Sequence, residues 1–138
     1  MAGSKRLTTS LQYSNGMVRI SIESLKTLGN PEYVTILVNE SSNQISFLPS
    51  AKTDKAALMV KYDKLRTNRG MMIYSCNLVR KIFDIEGWDH EYRYRIPGHY
   101  YEEANVIYFD LKKAHKVEHN ELLFAKGDWY GRIRTWKF

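Results

Sequence analysis

The sequence has a single cysteine and no long apolar run, and each of these shortages excludes a class of protein. One cysteine, Cys76, cannot form a disulfide within the chain, which favours a reducing compartment. The longest apolar runs, 33–38 and 106–109, fall well short of the roughly 18 residues that a membrane span needs. Lys5 and Arg6 have no apolar stretch behind them, so a secretory signal is not expected. We therefore predict a cytoplasmic protein without a membrane partner.

The signatures of common catalytic sites are missing as well. The phosphate-binding pattern G-x-x-x-x-G-K-[ST], the dinucleotide-binding G-x-G-x-x-G and the serine-hydrolase G-x-S-x-G do not occur. The carboxylates of Asp84 and Glu86 have no base assigned opposite them. Cys76 falls in the apolar stripe of a predicted helix beside Val79, so we expect a buried and inert thiol. The sequence thus predicts a protein that binds rather than catalyses, without a cofactor.

One short pattern is typical of a metal site. Residues 115–119 spell H-x-x-E-H, which on a helix would place His115 and His119 one turn apart, as in zinc-dependent inverzincin proteases. Such an enzyme also needs a third ligand and a large catalytic scaffold, and neither is evident in this short chain. Histidines that face solvent are the preferred interpretation, and no metal site is predicted.

Length and charge bound the remaining possibilities. A chain of 138 residues suits one domain, and 43% hydrophobic with 26% charged residues is ordinary for a folded protein. The formal net charge of +6 attracts polyanions, so nucleic acid is the first partner to test. A basic surface that serves only solubility is the alternative.

The chain also reads as two related halves. Residues 16–21 (GMVRIS) align with residues 70–75 (GMMIYS), and the same succession of features follows each run. A short β-prone run leads to a serine that can cap a helix, apolar residues recur at helical spacing, and a glycine ends the helix. The serines are Ser21 and Ser75, and the glycines are Gly29 and Gly87.

Each predicted helix is followed by a predicted hairpin. The first joins residues 33–39 and 44–48, and the second joins residues 91–96 and 106–110 around a longer connection that begins at Pro97. One βαββ unit cannot bury both faces of its strands, so we expect the two to pack as a pseudo-twofold pair. The predicted fold class is α+β, mainly β: tandem βαββ repeats forming a closed barrel with two short helices and a β-rich C-terminal extension.

These features divide a single domain, residues 1–138, into four segments. The segments are repeat 1 at about 15–48, a connector at 49–69, repeat 2 at about 70–111, and a basic and aromatic extension at 112–138. Within the connector, residues 56–60 fit either a strand or a helix. The extension reads as a strand of alternating character. The oligomeric state stays open, and a homo-oligomer is compatible with the sequence.

Residues 16–29 and the hairpin after them resemble the AbrB and MraZ group of swapped-hairpin transcription factors. The resemblance covers about 15–48 well and about 69–111 more weakly, and it implies a double-psi-type barrel that binds DNA. The group's Ile-Pro before the helix corresponds to Ile20-Ser21, and of its paired basic helix residues only Lys26 remains. The whole chain also resembles small proteins of Gram-positive bacteria and their phages, a likeness that implies no activity.

The candidate binding residues combine cations with aromatic rings. Phosphate contacts require lysine or arginine, and bases stack on planar side chains. Trp88, Tyr100 and Tyr101 lie close in sequence to the alternating run 92–95 and to His99. Solvated arginines beside core tyrosines are the alternative for that run, as is a solvated helix face for Arg80 and Lys81. The complete set is Arg19, Lys26, Arg80, Lys81, Trp88, Arg93, Arg95, Tyr100, Tyr101, Trp129, Arg132 and Arg134.

Two functional hypotheses follow from these residues. The first is a non-catalytic, DNA-binding transcriptional regulator of the AbrB-like type. The alternative is a phage or mobile-element inhibitor that binds a host defence protein, or sequesters a nucleotide, through its aromatic and arginine surface.

Overall fold

Nine strands and two short α-helices make up the fold in the computed structural model, which describes residues 7–65 and 70–117. The strands are β1 (Thr8–Gln12), β2 (Met17–Ile20), β3 (Tyr33–Asn39), β4 (Gln44–Pro49), β5 (Leu58–Met59), β6 (Met71–Tyr74), β7 (Arg93–Tyr101), β8 (Val106–Asp110) and β9 (His115–Val117). The helices are α1 (Ile22–Thr27) and α2 (Cys76–Glu86). Within these residues, neither helix has the length and apolar character needed to cross a membrane.

The strands form one curled antiparallel sheet with the shape of a half-barrel. Their order is β5-β3-β4-β8-β7-β1-β2-β6, and β9 pairs with β7 beside this path. The predicted mainly β fold with two short helices is therefore confirmed. The closed barrel is not found among the described strands, because β5 and β6 end the sheet and do not pair with each other.

The two helices begin and end where the sequence predicts. The Ser21 side chain accepts the backbone N–H of Ser24 at 3.3 Å, and the Ser75 side chain accepts the backbone N–H of Leu78 at 3.4 Å. These N-caps satisfy donors that have no partner inside the helix. Gly87 ends α2 in the left-handed conformation, with φ of 69°. Such a conformation carries no steric cost for glycine, so this residue is a favourable helix stop.

The core lies between α2 and one face of the curled sheet. Val79, Ile82 and Phe83 of α2 are buried in the same apolar cluster as Leu11 of β1 and Phe109 of β8. We use "core face" for the face of the sheet that this cluster covers and "outer face" for the opposite one. Because neighbouring side chains of a strand alternate between the two faces, each strand contributes to both.

Cys76 corrects one prediction. Its thiol is exposed rather than buried in the helical stripe. Cys76 is the first residue of α2, directly after the Ser75 cap, and the buried side chains of the helix begin one turn later at Val79. A side chain in the first turn of a helix lies at its end, so apolar spacing alone did not determine its burial.

Strand β7 corrects a second prediction, because it continues through Pro97 and Gly98 instead of ending before them. Its first part pairs with β1 and its last part, from Gly98 to Tyr101, pairs with β8. The backbone N–H of Gly98 donates to the carbonyl of Leu7 at 2.6 Å. The connection to β8 is therefore only the short turn after Tyr101, and no long loop is present at this point of the chain.

Two other segments were open or unassigned in the sequence. Strand β1 was not predicted, and it pairs with both β2 and β7. The ambiguous run 56–60 contains β5, which pairs with the start of β3. A 3₁₀ turn, Tyr62–Lys64, follows in the connector. β1 thus forms a hairpin with β2, whereas its second partner β7 and the β3 partner of β5 are distant in the sequence.

We predict that Gly98→Ala destabilises the protein by about 1–3 kcal/mol, the range typical of overpacking in a core. A Cβ atom at this position would lie 2.6 Å from Cε1 of Phe109 and 2.9 Å from Cγ2 of Ile107. Both of these side chains are fully buried, so neither can move away freely. Urea unfolding followed by circular dichroism measures the loss.

His99→Ala is the matched control, because it truncates the next residue of the same strand on its exposed side. An exposed substitution of this kind is expected to change the free energy of unfolding by less than about 0.5 kcal/mol. Equal stability of the Gly98→Ala variant and wild type would show that β7 does not need a glycine at the crossing point.

Candidate nucleic-acid interface

Strand β7 presents an exposed row of side chains on the outer face of the sheet. Arg95, Pro97, His99 and Tyr101 are exposed, whereas Ile96 between them is fully buried. This alternation follows from the two-residue period of a strand whose other side packs on the core. Because β7 is unbroken at Pro97, its cationic start and its aromatic end lie on the same face.

A second arginine joins this face through strand β1. Ser10 lies opposite Arg95 on one side and opposite Arg19 of β2 on the other. Directly opposite residues of antiparallel strands share a face, and two strand spacings place the Arg19 and Arg95 backbones about 10 Å apart. We call these three residues the arginine row. Ser10 itself is buried, and its short side chain adds little bulk between the two arginines.

In the part of the chain that the structure describes, neither guanidinium of the arginine row forms an ion pair with an acidic side chain. Within residues 7–65 and 70–117, the ion pairs of the structure involve lysines and not Arg19 or Arg95. The Nε of Arg19 is buried and makes no hydrogen bond within the same residues. That nitrogen is not accessible to a ligand, whereas Arg95 is exposed and Arg19 as a whole is half-buried, and an anionic oxygen is the acceptor that suits a guanidinium best.

The aromatic end of β7 borders a shallow groove. His99 lies opposite Tyr108 of β8, and the rings of Tyr101 and Tyr108 meet edge to face with centroids 5.9 Å apart. Lys113 stands at the rim, and Asp110 and Gln44 are also part of the wall. We call the surface formed by His99, Tyr101, Tyr108 and Lys113 the aromatic groove. Its rings and its cation suit nucleotides, and the carboxylate of Asp110 lies beside them.

Two of the predicted binding residues on β7, Arg93 and Tyr100, are less accessible than Arg95 and Tyr101. Arg93 lies on the same side of β7 as Arg95, but it is buried, which departs from the interpretation of both arginines as solvated. Tyr100 was grouped with Tyr101, yet it lies on the core side of β7 and its hydroxyl donates to Oδ1 of Asn105 at 2.8 Å. Tyr100 is therefore part of the packing of the second hairpin.

The helical candidates lie away from the arginine row. Val79 and Phe83 place α2 against the core face, so Arg80 and Lys81 are on the other side of the sheet from Arg19. Lys81 pairs with Glu40 at 2.5 Å, and both side chains are largely exposed. This is the solvated helix face that the sequence offered as the alternative. Lys26 is also exposed, in the last turn of α1.

Trp88 belongs to an aromatic cluster that packs on the core. Its ring stacks on Tyr94 with centroids 4.3 Å apart and meets Phe83 edge to face at 5.2 Å. Nearby, the exposed His90 stacks on Tyr13 at 3.6 Å, and the guanidinium of Arg80 lies 5.6 Å from the Tyr13 ring centre. Trp88 is thus half-buried and structural, while His90 and Arg80 are the accessible part of the cluster.

The possible metal motif does not form a helix in its described part. His115 begins β9, is exposed and lies opposite Arg95. Among the residues that the structure describes, no three histidine, cysteine, aspartate or glutamate side chains are placed to hold a metal ion. The predicted site residues Trp129, Arg132 and Arg134, together with His119, lie outside the described residues.

Sequence reasoning missed several residues of these surfaces. The Asn15-Gly16 turn could have indicated the hairpin that places Ser10 opposite Arg19, but no local pattern indicates the pairing of β1 with β7 that places Ser10 opposite Arg95. Tyr108 could have been found, since it alternates with the buried Ile107 and Phe109 in a predicted strand. The stacking of His90 on Tyr13 joins distant segments, and no local pattern indicates it.

We predict that Trp88→Ala lowers the free energy of unfolding by about 2 kcal/mol, somewhat less than for a fully buried tryptophan. The change removes the ring that stacks on Tyr94 and contacts Phe83. Trp88→Phe keeps an aromatic ring and is expected to recover more than half of the loss. Thermal unfolding measures both; an unchanged midpoint for Trp88→Ala would contradict a structural role for this side chain.

Comparisons with known proteins gave no match. No family model matches the sequence, and no match was found among curated proteins or solved structures. The resemblance to swapped-hairpin factors therefore stays a prediction, and function has to be argued from the arrangement of side chains on the sheet.

Proposed function

We propose that this chain is a non-catalytic DNA-binding protein that contacts phosphates through the arginine row. Arg19 and Arg95 are far apart in the sequence, and the sheet places them on either side of Ser10 without acidic partners in the described part of the chain. This pairing is the observation that carries the proposal. Two neighbouring guanidinium groups suit adjacent phosphates of one strand, and the net charge of +6 favours approach of a polyanion.

We further propose the swapped-hairpin regulator type, with two related βαββ units. Support comes from the order of elements, since β2-α1-β3-β4 and β6-α2-β7-β8 follow the same succession. Equivalent strands of the two halves also pair with each other, β2 with β6 and β4 with β8, both antiparallel. Such pairing is what a pseudo-twofold axis through the sheet requires, and it favours a transcriptional regulator built on this scaffold.

A second candidate is the binding of a protein or nucleotide by the accessible part of the aromatic cluster. The observation in its favour is the exposed stack of His90 on Tyr13, with Arg80 beside the same ring. Aromatic and arginine side chains are enriched at the centres of protein interfaces. This surface is separate from the arginine row, so substitutions distinguish the two candidates.

Replacing both Arg19 and Arg95 by glutamine is predicted to weaken duplex DNA binding and its dependence on salt. The slope of log affinity against log salt is negative, and each phosphate contact that is lost reduces its magnitude by about 1. The double variant should therefore have a slope whose magnitude is smaller by about 2. Fluorescence anisotropy with a labelled duplex, titrated at several salt concentrations, measures both affinity and slope.

Lys81→Gln is the matched control, because it removes one cation from the helix side, where Glu40 already pairs with it. Its affinity and slope should stay near those of wild type. Absence of any association with DNA at low salt would refute the proposal. An unchanged slope in the double arginine variant would show that DNA is bound elsewhere, and His90→Ala with Arg80→Gln would then test the second surface.

A further inference from the structure

We infer that the aromatic groove binds unpaired bases, so that the preferred ligand of this face is single-stranded DNA. The inference rests on the proposed DNA binding by the arginine row and names the form of DNA. Tyr101, a large aromatic side chain, is 50% exposed at the end of β7, directly before the turn to β8. Tyr108 supports it from the neighbouring strand, with an angle of 76° between the ring planes. Tyr101 is exposed and Tyr108 is half-buried, so part of the Tyr101 side chain stays accessible in this pair.

Stacking requires that the base expose its own flat face. In a duplex these faces are covered by neighbouring base pairs, whereas an unpaired base can lie on an aromatic side chain. The rings of His99, Tyr101 and Tyr108 lie on the surface of the sheet, where an unpaired base can stack on them. The aromatic groove is therefore matched to single strands.

Polar groups beside the rings complete a site for nucleotides. Gln44 offers an amide to base edges, and Lys113 at the rim offers a cation to a phosphate. Asp110 also lines the groove, and its Oδ1 accepts the backbone N–H of Lys112 at 3.0 Å. A carboxylate held by a backbone donor repels phosphate but can accept a hydrogen bond from an amino group of a base. The groove thus favours the base side of the strand, with phosphates directed to its cationic margins.

The distance along β7 sets the length of the single-stranded DNA that can be bound. Six residue steps separate Arg95 from Tyr101, which corresponds to about 20 Å at the rise of a β-strand. Stacked nucleotides advance about 3.4 Å each, so a strand of about six nucleotides would reach from the arginine row to the aromatic groove. A mononucleotide would contact only one end of this surface.

The test compares a labelled single-stranded oligothymidine of about twelve nucleotides, a duplex of matched length, and thymidine monophosphate as competitor. Wild type should bind the single strand at least tenfold more tightly than the duplex. Tyr101→Ala and Tyr108→Ala should each weaken single-strand binding about tenfold, since stacking on one ring contributes about 1–3 kcal/mol. Duplex affinity should not change in these variants. Tyr101→Phe retains the ring and should retain the affinity.

A second readout identifies the contact directly. Ultraviolet crosslinking of an oligonucleotide that carries 5-iodouracil, followed by mass spectrometry, should label a peptide containing Tyr101 or Tyr108. Thermal unfolding of each variant verifies that the fold is retained, and Tyr101 is the decisive position because its truncation removes an exposed ring.

The outcomes separate this inference from the proposed function. Duplex binding that depends on Arg19 and Arg95, together with equal or weaker single-strand binding, would overturn the inference and leave the proposed function standing. Single-strand binding that is unaffected by Tyr101→Ala and Tyr108→Ala would overturn it as well. If thymidine monophosphate competes at concentrations similar to those of the oligonucleotide, the ligand is a single nucleotide and not a DNA strand, and the inference is overturned. Absence of binding to either form of DNA would refute both.

Discussion

The continuity of β7 through Pro97 and Gly98 is the constraint on which the rest of the structure depends. The strand pairs with β1 before this point and with β8 after it, so it joins the two parts of the curled sheet. Passage is possible because Gly98 has no side chain where Phe109 and Ile107 come within 3 Å of the position that a Cβ would take. Without this crossing, the strand pairs on either side would have no common sheet.

The register of β7 then decides what the outer face displays. Ile96 is fully buried, and its burial fixes Arg95 and Pro97 on the opposite side. A slip of one residue would bring every side chain to the other face, which would bury Arg95 and expose Ile96. The burial of apolar side chains on the core face therefore enforces the alignment of cations and rings on the outer face. The site is a consequence of packing, although none of its exposed residues contributes to the core.

Local chemistry made part of this arrangement predictable. Ser21 and Ser75 cap their helices, Gly87 ends α2, and the βαββ order of both halves was visible in the apolar periodicity. The crossing at Pro97 was not, because a proline followed by glycine usually indicates a turn, and only tertiary contacts with Phe109 explain a strand there. Arg19 and Arg95 were each recognised as candidates, but their proximity depends on the pairing of β1 with β7, which no local signal indicates.

The distribution of paired and unpaired cations determines which part of the outer face attracts an anion first. Lys81 is paired with Glu40, and Lys112 with the nearly buried carboxylate of Glu86, which also accepts a hydrogen bond from Asn43. Such pairs largely cancel each other's field at the distance of an approaching ligand. In the described part of the chain Arg95 has no such ion pair and is exposed, so its charge faces solvent, and Arg19 beside it is half-buried and also without an ion pair. A polyanion is therefore drawn first to the start of β7, and the rings at the end of the same strand lie next along its path. This order separates attraction, which depends on salt, from stacking, which does not.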